Sequence, residues 1–391
     1  MAGFFHKRFV IMTFMMFIII WLFTFIPFNC LFLDPIAKAV SDFDVYDIVY
    51  SRIREEPQAD TNIVLVNLSN LSRLQIAHQI NVVNSFNPKV IAVDAIFQEE
   101  KDPYADSLLA NAFSKCTNLV LAGKLDKYND STGSYDTLLS SINIFSKFAG
   151  TGFANLPNDS KVSFRTMREF RPFSKINGRT IPAFATKIVE ISNPQSVQFL
   201  MNRDQDIEKI NYIGNFNKFY YIDSYQVLSG ENDLSFIKDK IVLIGFMGIR
   251  LNEKTLEDIF FTPLNERYAG KSFPDMYGVV IHANIVSMIL NKNFINIMPQ
   301  WLSIILAVIL SYVSAYIIYS FKRKRKDWFG TFTKLYMLTV SLLNLYIGVM
   351  VLHHFNYRIN LTLAIAVVFL TGTILDLYNN FIGRIFLSTG K

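Results

Sequence analysis

The sequence predicts an α/β protein, in which a domain with a mainly parallel or mixed sheet flanked by helices is joined to four transmembrane helices. One of these helices precedes the domain and three follow it. Three observations predict this fold. Short β-branched runs alternate with helical periodicity in the middle of the chain, lysine and arginine cluster beside apolar blocks, and there are four such blocks, at residues 9–33, 298–320, 335–352 and 361–382.

Each apolar block approaches the roughly 20 residues that an α-helix needs to cross a hydrocarbon core about 30 Å thick. Backbone groups inside lipid must satisfy their own hydrogen bonds, so all four blocks are predicted to be helices. The first block also begins like a cleaved signal peptide, with Lys7 and Arg8 before it. Its apolar part exceeds the usual 7–15 residues and no A-x-A-like site follows, so we predict an uncleaved anchor.

The basic residues predict the orientation of these helices, because cytoplasmic segments are enriched in lysine and arginine. The predicted cytoplasmic segments are residues 1–8, the basic loop 321–334 and the tail 383–391, which leaves a domain at 34–297 and a short turn at 353–360 outside. The loop is the most basic segment of the chain, with Lys322, Arg323, Lys324, Arg325 and Lys326 in succession. The net charge of +6 is therefore attributed to topology, and no nucleic-acid partner is expected.

Two cysteines, Cys30 and Cys116, are far apart in the predicted organisation and are not expected to form a disulfide. A disulfide-free external domain of this size fits a bacterial periplasm, and it is long enough to be held together by its own core. We therefore predict a multi-pass protein of the bacterial inner membrane, with the main domain in the periplasm and both termini in the cytoplasm.

Inside the domain, the segments "TNIVLVNL", "KVIAVDAIF", "NLVLAGKL" and "KIVLIGF" are predicted to be buried strands. Helical spacing appears in "LSRLQIAHQINVVNSF", "DPYADSLLANAFSKC", "IPAFATKIVEI" and "MYGVVIHANIVSMILN". This alternation is typical of βαβ units and a parallel sheet. The stretch at about residues 127–206 is expected to be mostly loops.

The strand "KIVLIGF" runs into a loop that contains Gly245 and Gly248. Neither the Gly-Lys-Ser/Thr of a P-loop nor the G-x-G-x-x-G fingerprint is present. Two interpretations of Gly245 are open. It lets the chain turn away from the strand, or it belongs to a ligand pocket at the strand end, where ligands collect in open parallel sheets.

Polar residues at other predicted strand and helix ends complete a candidate ligand-binding set. Asp94 and Asp106 could bind a cation or polarise a ligand, or they are a polar strand end and a helix N-cap, respectively. His282 lies among apolar residues, where a histidine is more often a core residue than a ligand. The full candidate set is Asp94, Asp106, Gly245, Asp258, Thr262 and His282.

No catalytic or metal-binding motif accompanies these residues, so no cofactor is expected and an enzyme is not predicted. Within the apolar blocks, Asp376 either marks a functional site or reaches the cytoplasmic interface. Asn344 is predicted to bond to a neighbouring helix.

Several segments resemble, in the same order, the second class of CHASE domain, the cyclase/histidine-kinase-associated sensory extracellular modules of bacteria. The resemblance covers about residues 44–293. Its pieces are "NIVLVNLS", "FNPKVIAVDAIF" followed by "YADSLLANAF", "LVLAGKL", "GFANLPND", "IPAFATKI", "KDKIVLIG", "LEDIFFTPLN" and "MYGVVIHANIV". The family usually carries Asp-Gly and an arginine after the "GF-N" segment, whereas this sequence has Asp159 and Ser160 with no following glycine, and Arg165 further on.

The resemblance implies a ligand sensor with one helix before it and three after it. Family members commonly continue into a kinase or cyclase, but no predicted cytoplasmic segment of this sequence is long enough for one. We therefore expect a membrane or cytoplasmic partner to carry the output, with a homo-oligomer also possible. The basic residues 322–326 contact either that partner or phospholipid. The alternatives are a structural subunit of a larger envelope complex and, less well supported, an external metal-dependent enzyme that uses Asp94, Asp106, Asp258 and His282.

Overall fold

The computed structural model describes residues 6–23, 44–129, 134–156, 166–251, 255–265 and 273–382. The chain divides into two units, one comprising Tyr50–Ile295 and the other comprising Met1–Val49 together with Asn296–Lys391. Some sequence features lie outside the described residues, namely Cys30 with the end of the first apolar block, the segment with Asp159, Ser160 and Arg165, and the predicted tail 383–391.

Within the described part of the Tyr50–Ile295 unit, nine strands form one sheet in the order β10-β1-β11-β2-β3-β4-β7-β8, with β5 paired to β3. Strands β10, β1, β11, β2, β3 and β5 pair in parallel, whereas β3 with β4 and β7 with β8 are antiparallel. The predicted mixed sheet is therefore confirmed. The strands of this sheet are β1 Asp60–Asn67, β2 Val90–Val93, β3 Leu119–Asn129, β4 Ser134–Leu139, β5 Gly150–Phe153, β7 Phe173–Ile176, β8 Arg179–Pro182, β10 Phe219–Ile222 and β11 Ile241–Gly245.

Helices cover both faces of this sheet. The central strands carry apolar side chains on both faces, and both sets of side chains are buried. One face packs against α2, α3, α4 and α7, the other against α5, α6 and α8. Two short ladders add β6 with β9 and β12 with β13. The helices are α2 Arg73–Ser85, α3 Pro103–Ser114, α4 Asn143–Ser146, α5 Phe184–Ser192, α6 Pro194–Met201, α7 Ser224–Leu228 and α8 Gly278–Leu290, and the ladder strands are β6 Glu169–Phe170, β9 Glu208–Lys209, β12 Ile259–Phe260 and β13 Met276–Tyr277.

The antiparallel extension differs from the sequence-based expectation of loops at about residues 127–206. Strand β3 continues past its parallel partners to Asn129 and pairs there with β4. The pattern was missed because these strands are short and half-exposed, so they lack the continuous apolar run that revealed the parallel strands.

The second unit contains three helices that are long and apolar enough to cross a membrane, among the residues that the structure describes: Gln300–Lys324, Phe329–Phe355 and Thr362–Asn380. The first two are α9 and α10, and the α-helical part of the third is α11, Thr362–Leu377. Helix α1 spans Lys7–Phe23 and packs against α9 and α11. Its predicted continuation to residue 33 lies outside the described residues, so the first membrane span stays a prediction.

Small residues allow α9 to approach its neighbours closely, as is common where helices meet in membranes. They recur at four-residue intervals and are buried: Ser303, Ala307, Ser311 and Ala315. On α1 the matching surface includes Thr13, whose hydroxyl lies 3.3 Å from that of Ser311. Phe9 packs edge-on against Tyr312, Tyr316 and Tyr319 of α9. Helix α1 is therefore an integral part of this bundle.

The basic segment differs from the predicted loop 321–334, because α9 continues through Lys324 and α10 begins at Phe329. Cationic side chains in the last turn of a helix interact favourably with its C-terminal partial charge, which favours this extension. Lys322 also pairs with Asp376 at 2.7 Å, so the carboxylate of α11 has a cationic partner beside the basic segment. Asn344 donates to Val340 O within α10 at 2.8 Å, so the expected bond to a neighbouring helix is replaced by one within its own helix.

Candidate functional site

Polar side chains collect at the carboxyl edge of the parallel strands. Strand β1 ends at Asn67, which is opposite Gly245 at the end of β11. Asp94 follows β2 directly, and its amide donates to Ile244 O at 2.8 Å. Asp223 follows β10. Because carboxyl ends of parallel strands share one edge, residues far apart in sequence meet here.

Gly245 is required by the close approach of helix α8. A Cβ at this position would lie 2.6 Å from Val279 Cβ, 2.7 Å from its Cγ2 and 3.2 Å from Asp94 Cβ. The chain turns instead at Gly248, which has φ +95° in the left-handed region, whereas Gly245 does not have a positive φ. The interpretation of Gly245 as a turning glycine is therefore wrong, and its hydrogen atom leaves room for both α8 and Asp94.

Asp94 and Asp258 form an acid pair beside the N-terminus of α8. Asp258 adopts φ +52°, and its carbonyl accepts the Gly278 amide at 3.1 Å. Its carboxylate oxygens would lie 3.0 and 3.1 Å from a Cβ at Gly278. Burial raises the pKa of Asp94 to about 6. Burial, followed by the charges of Asp94 and Glu257, raises the pKa of Asp258 to about 7. Both carboxyl groups therefore keep their protons to a higher pH than an ordinary aspartate does.

Thr262 belongs to the same hairpin as Asp258, but its partner is Asp275. The Thr262 amide and hydroxyl donate to the two carboxylate oxygens of Asp275 at 2.9 and 2.5 Å, and Asn265 Nδ2 donates to one of them at 3.2 Å. Burial raises the pKa of Asp275 to about 6, although these hydrogen bonds act in the opposite direction. Thr262 thus holds together the two strands of the hairpin that positions Asp258.

The loop after β11 is fixed by a second polar cluster. Asn67 donates to Asp223 Oδ1 at 2.9 Å and to Gly248 O at 3.0 Å, and its Oδ1 accepts the Met247 amide at 2.9 Å. Asp223 Oδ2 accepts the Leu251 amide at 3.3 Å. The loop from Gly245 to Leu251 is therefore attached to β1 and β10.

Asp106 is bound elsewhere, in a buried ion pair with Arg73. Arg73 lies 2.5 Å from Asp106 Oδ1, the Lys101 amide donates to Oδ2 at 2.8 Å, and the guanidinium also donates to Glu99 O. Burial acts to raise the pKa of Asp106, but the bonds from Lys101 and Arg73 outweigh it and lower the pKa below its usual range. The N-cap of α3 is Asp102, so the interpretation of Asp106 as the cap is wrong.

His282 lies on α8, one turn after Gly278, and it is only 4% exposed. Its ring packs edge-on against Phe184 at 5.3 Å. Burial lowers the pKa of His282 to about 4, although a hydrogen bond to the Ala154 backbone acts in the opposite direction. Nδ1 has no hydrogen-bond partner among the described residues. The imidazole is therefore neutral at ordinary pH.

A groove of about 720 Å³ opens at the same edge of the sheet, between the start of α2 and the loop after β2. Its volume is within the range of small-molecule sites. The groove has both polar and apolar side chains in its lining. Among them, the guanidinium of Arg73 is already bound to Asp106 and to Glu99 O. Its lining residues are Leu71, Ser72, Arg73, Leu74, Ile76, Ile96, Phe97, Gln98, Glu99, Lys101, Asp102 and Ala105.

The structure therefore brings together Asp94, Gly245 and Asp258 of the predicted set, with Thr262 supporting the hairpin. Asp106 and His282 have other partners. In the described ranges, no group of three or more His, Cys, Asp or Glu side chains could hold a metal ion. Sequence reasoning missed Asn67, Asp223 and Asp275. Asn67 lies at the end of a predicted strand like Asp94, so the same rule would have found it, whereas β10, the strand before Asp223, was not predicted.

Asp258→Asn is expected to stabilise the fold at pH 8 and to leave it unchanged near pH 4. The folded-state pKa of Asp258 is raised, so its stabilising contribution is present at low pH and is lost as pH rises through about 7. The Asp258 residue is exposed by accessible area, so solvent screening reduces the expected gain to about 1 kcal/mol. Asparagine tolerates a positive φ.

Thermal unfolding of the full chain in detergent at both pH values measures this gain. Glu231→Gln, an exposed carboxylate outside the site, is the matched control. An equal gain from Asp258→Asn at pH 4 and pH 8 would contradict the raised pKa of Asp258.

Comparison with known proteins decides the family. The family model described as CHASE2 domain matches residues 15–316. The chain belongs to the CHASE2 domain family. The resemblance noted from the sequence is thus confirmed, and CHASE2 domains are sensory domains. No curated protein and no solved structure matches the chain. The acid pair and the groove described above lie within the matched CHASE2 region.

Proposed function

We propose that the protein is a non-enzymatic sensor subunit of a bacterial inner membrane, whose CHASE2 domain detects a ligand or envelope state in the periplasm. The observation that carries the proposal is the direct connection of the Tyr50–Ile295 unit, which lies within the CHASE2 match, to a membrane-length helix that begins at Gln300. A change in the domain is then transmitted along the chain into the bilayer.

The proposed orientation rests on charge. Lys322–Lys326 and the basic residues near both termini are on the cytoplasmic side, in agreement with the enrichment of lysine and arginine in cytoplasmic segments. The domain and the Asn356–Asn360 turn then face the periplasm.

The proposed ligand site is the carboxyl edge of the sheet. Asp94 and Asp258 favour a ligand that carries a positive charge or several hydrogen-bond donors, since they accept but do not donate when ionised. The loop after β2 supplies Asp94 to the acid pair and Ile96 to the groove, so the same short segment contributes to both. Asp106 and His282 bind residues outside the acid pair, so neither is assigned to the proposed ligand site. No cofactor is proposed.

The proposed output is a partner protein in the membrane or cytoplasm, contacted by the basic residues 322–326 or by the membrane helices, with anionic phospholipid as the competing contact. The alternative function is an accessory subunit of a larger envelope complex, in which the CHASE2 domain only docks. That alternative requires a fixed partner at constant stoichiometry after purification from native membranes.

Ligand binding is tested by thermal unfolding of the full chain with fractionated periplasmic small molecules. A ligand at 100 times its Kd stabilises by about 2.7 kcal/mol, and we expect the Tm to rise by about 5 °C. The rise should persist in Glu231→Gln and disappear in the double variant Asp94→Asn/Asp258→Asn. If no fraction shifts the wild-type Tm while a fixed partner co-purifies, the docking alternative replaces the sensor proposal.

A further inference from the structure

The turn between α10 and α11 contacts the chain segments that come before and after the Tyr50–Ile295 unit. This turn, Asn356–Asn360, contacts Asp44–Tyr46, which precede that unit in the chain, and Asn296–Met298, which follow it. All these contacts lie within the membrane-helix unit of the chain. We call residues 356–360 the junction turn.

The leading segment is held by an ion pair and a hydrogen bond. Arg358 lies 2.6 Å from the Asp44 carboxylate, and its guanidinium stacks over the Tyr46 ring at 4.9 Å from the centroid. The Tyr46 hydroxyl donates to Ile359 O at 2.5 Å. Burial raises the pKa of Tyr46, with Arg358 acting in the opposite direction, so the hydroxyl remains a donor at ordinary pH.

The trailing segment is held by a short parallel ladder. Strands β14, Asn296–Ile297, and β15, Tyr357–Arg358, pair with each other. The Asn296 amide donates to Asn356 O at 2.8 Å, and the Met298 amide donates to Arg358 O at 2.9 Å. Arg358 thus binds the leading segment through its side chain and the trailing segment through its backbone.

A glycine on helix α10 leaves space for a side chain of the leading segment. A Cβ at Gly348 would lie 2.6 Å from the Tyr46 hydroxyl oxygen and 2.8 Å from Leu361 Cδ1. Glycine in a helix interior costs about 1 kcal/mol relative to alanine. The space it leaves here is filled by Tyr46, which is only 8% exposed.

We propose that the junction turn couples the two chain segments flanking the Tyr50–Ile295 unit to the α10–α11 hairpin, so that displacement of either segment moves the other segment and the hairpin together. The functional meaning of this coupling rests on the proposed sensor function. A displacement of the Tyr50–Ile295 unit can then reach the membrane helices in two ways. One is directly along the chain into α9, and the other is through Arg358 and the β14–β15 ladder into α10 and α11.

Hydrogen exchange of the full chain in nanodiscs tests the coupling without a ligand. The variant Asp44→Asn/Tyr46→Phe removes the ion pair and the Tyr46 hydroxyl hydrogen bond of the leading segment, keeps the ring under Arg358 and changes no residue of the trailing ladder. We expect the amides of Asn296 and Met298 to exchange about three- to tenfold faster than in the wild type, because losing an ion pair and a hydrogen bond loosens the shared turn by this order. Unchanged exchange at both amides would overturn the proposal.

Two further variants separate coupling from general loosening. Asp376→Asn breaks the Lys322 ion pair at the other end of the bundle and should leave the Asn296 and Met298 amides unchanged. Gly348→Ala improves helix propensity yet displaces Tyr46, and should accelerate the same two amides. Faster exchange of the two amides in Asp376→Asn, or unchanged exchange in Gly348→Ala, would count against the proposed coupling. A failed ligand screen leaves this exchange result standing, so the two proposals are tested separately.

Discussion

Asp106→Ala is expected to destabilise the CHASE2 domain by about 3–5 kcal/mol, the usual cost of leaving one partner of a buried ion pair uncompensated. The side chains of Arg73 and Asp106 are 9% and 6% exposed, so water cannot replace the lost carboxylate. The Arg73 guanidinium, left without its carboxylate, lies between α2 and α3, near the rings of Phe97 and Phe145. Denaturant unfolding of the full chain, followed by hydrogen exchange in both helices, measures the loss.

The matched control removes both charges at once. Arg73→Met/Asp106→Leu replaces the pair with apolar side chains of similar length, and buried pairs replaced in this way often lose little stability. The double variant should therefore be more stable than Asp106→Ala alone. A cost below about 1 kcal/mol for Asp106→Ala would show that the pair is effectively solvated.

Gly245→Ala is expected to cost about 2–3 kcal/mol, because the new methyl group overlaps Val279 Cβ and the surrounding core is close-packed. Either α8 or β11 must move. Both the groove and the acid pair lie at this edge, so the variant should also weaken any ligand-dependent Tm shift. Thermal unfolding of the full chain measures the cost.

A double-variant cycle isolates the contact behind this cost. Val279→Gly removes the atom that the new methyl group meets, so Gly245→Ala/Val279→Gly should be less destabilised than the sum of the two single variants. Gly330→Ala is the control, because a Cβ there would meet nothing within 4 Å. Additive costs in the cycle would place the strain somewhere other than the Gly245–Val279 contact.

The parallel half of the fold was predictable because its determinants are local. Strands buried on both faces are continuous β-branched runs, and α2 begins with a capping box of Ser72 and Gln75. The antiparallel extension lacked such runs. Its strands β4, β7 and β8 are stabilised mainly by pairing with each other and with the end of β3, which no short window of sequence reveals.

The site was predictable in part for the same reason. Asp94 and Gly245 were found because they follow recognisable strands. The partnership of Asp106 with Arg73 links two helices across 33 residues, and the reason for Gly245 lies on α8, which comes much later in the chain. Such contacts depend on how elements pack, and the residue types at either end do not specify them.

During synthesis, β1 emerges long before the strands that flank it. Its neighbours are β10, where Asp60 pairs with Phe219, and β11, where Ile63 pairs with Ile241. Until then both edges of an apolar strand are unpaired, and such edges invite pairing with other chains. The insertion of β11 between β1 and β2 completes the centre of the sheet. A nascent chain that stalls before Ile241 therefore exposes open edges, and protection by a chaperone matters most in that interval.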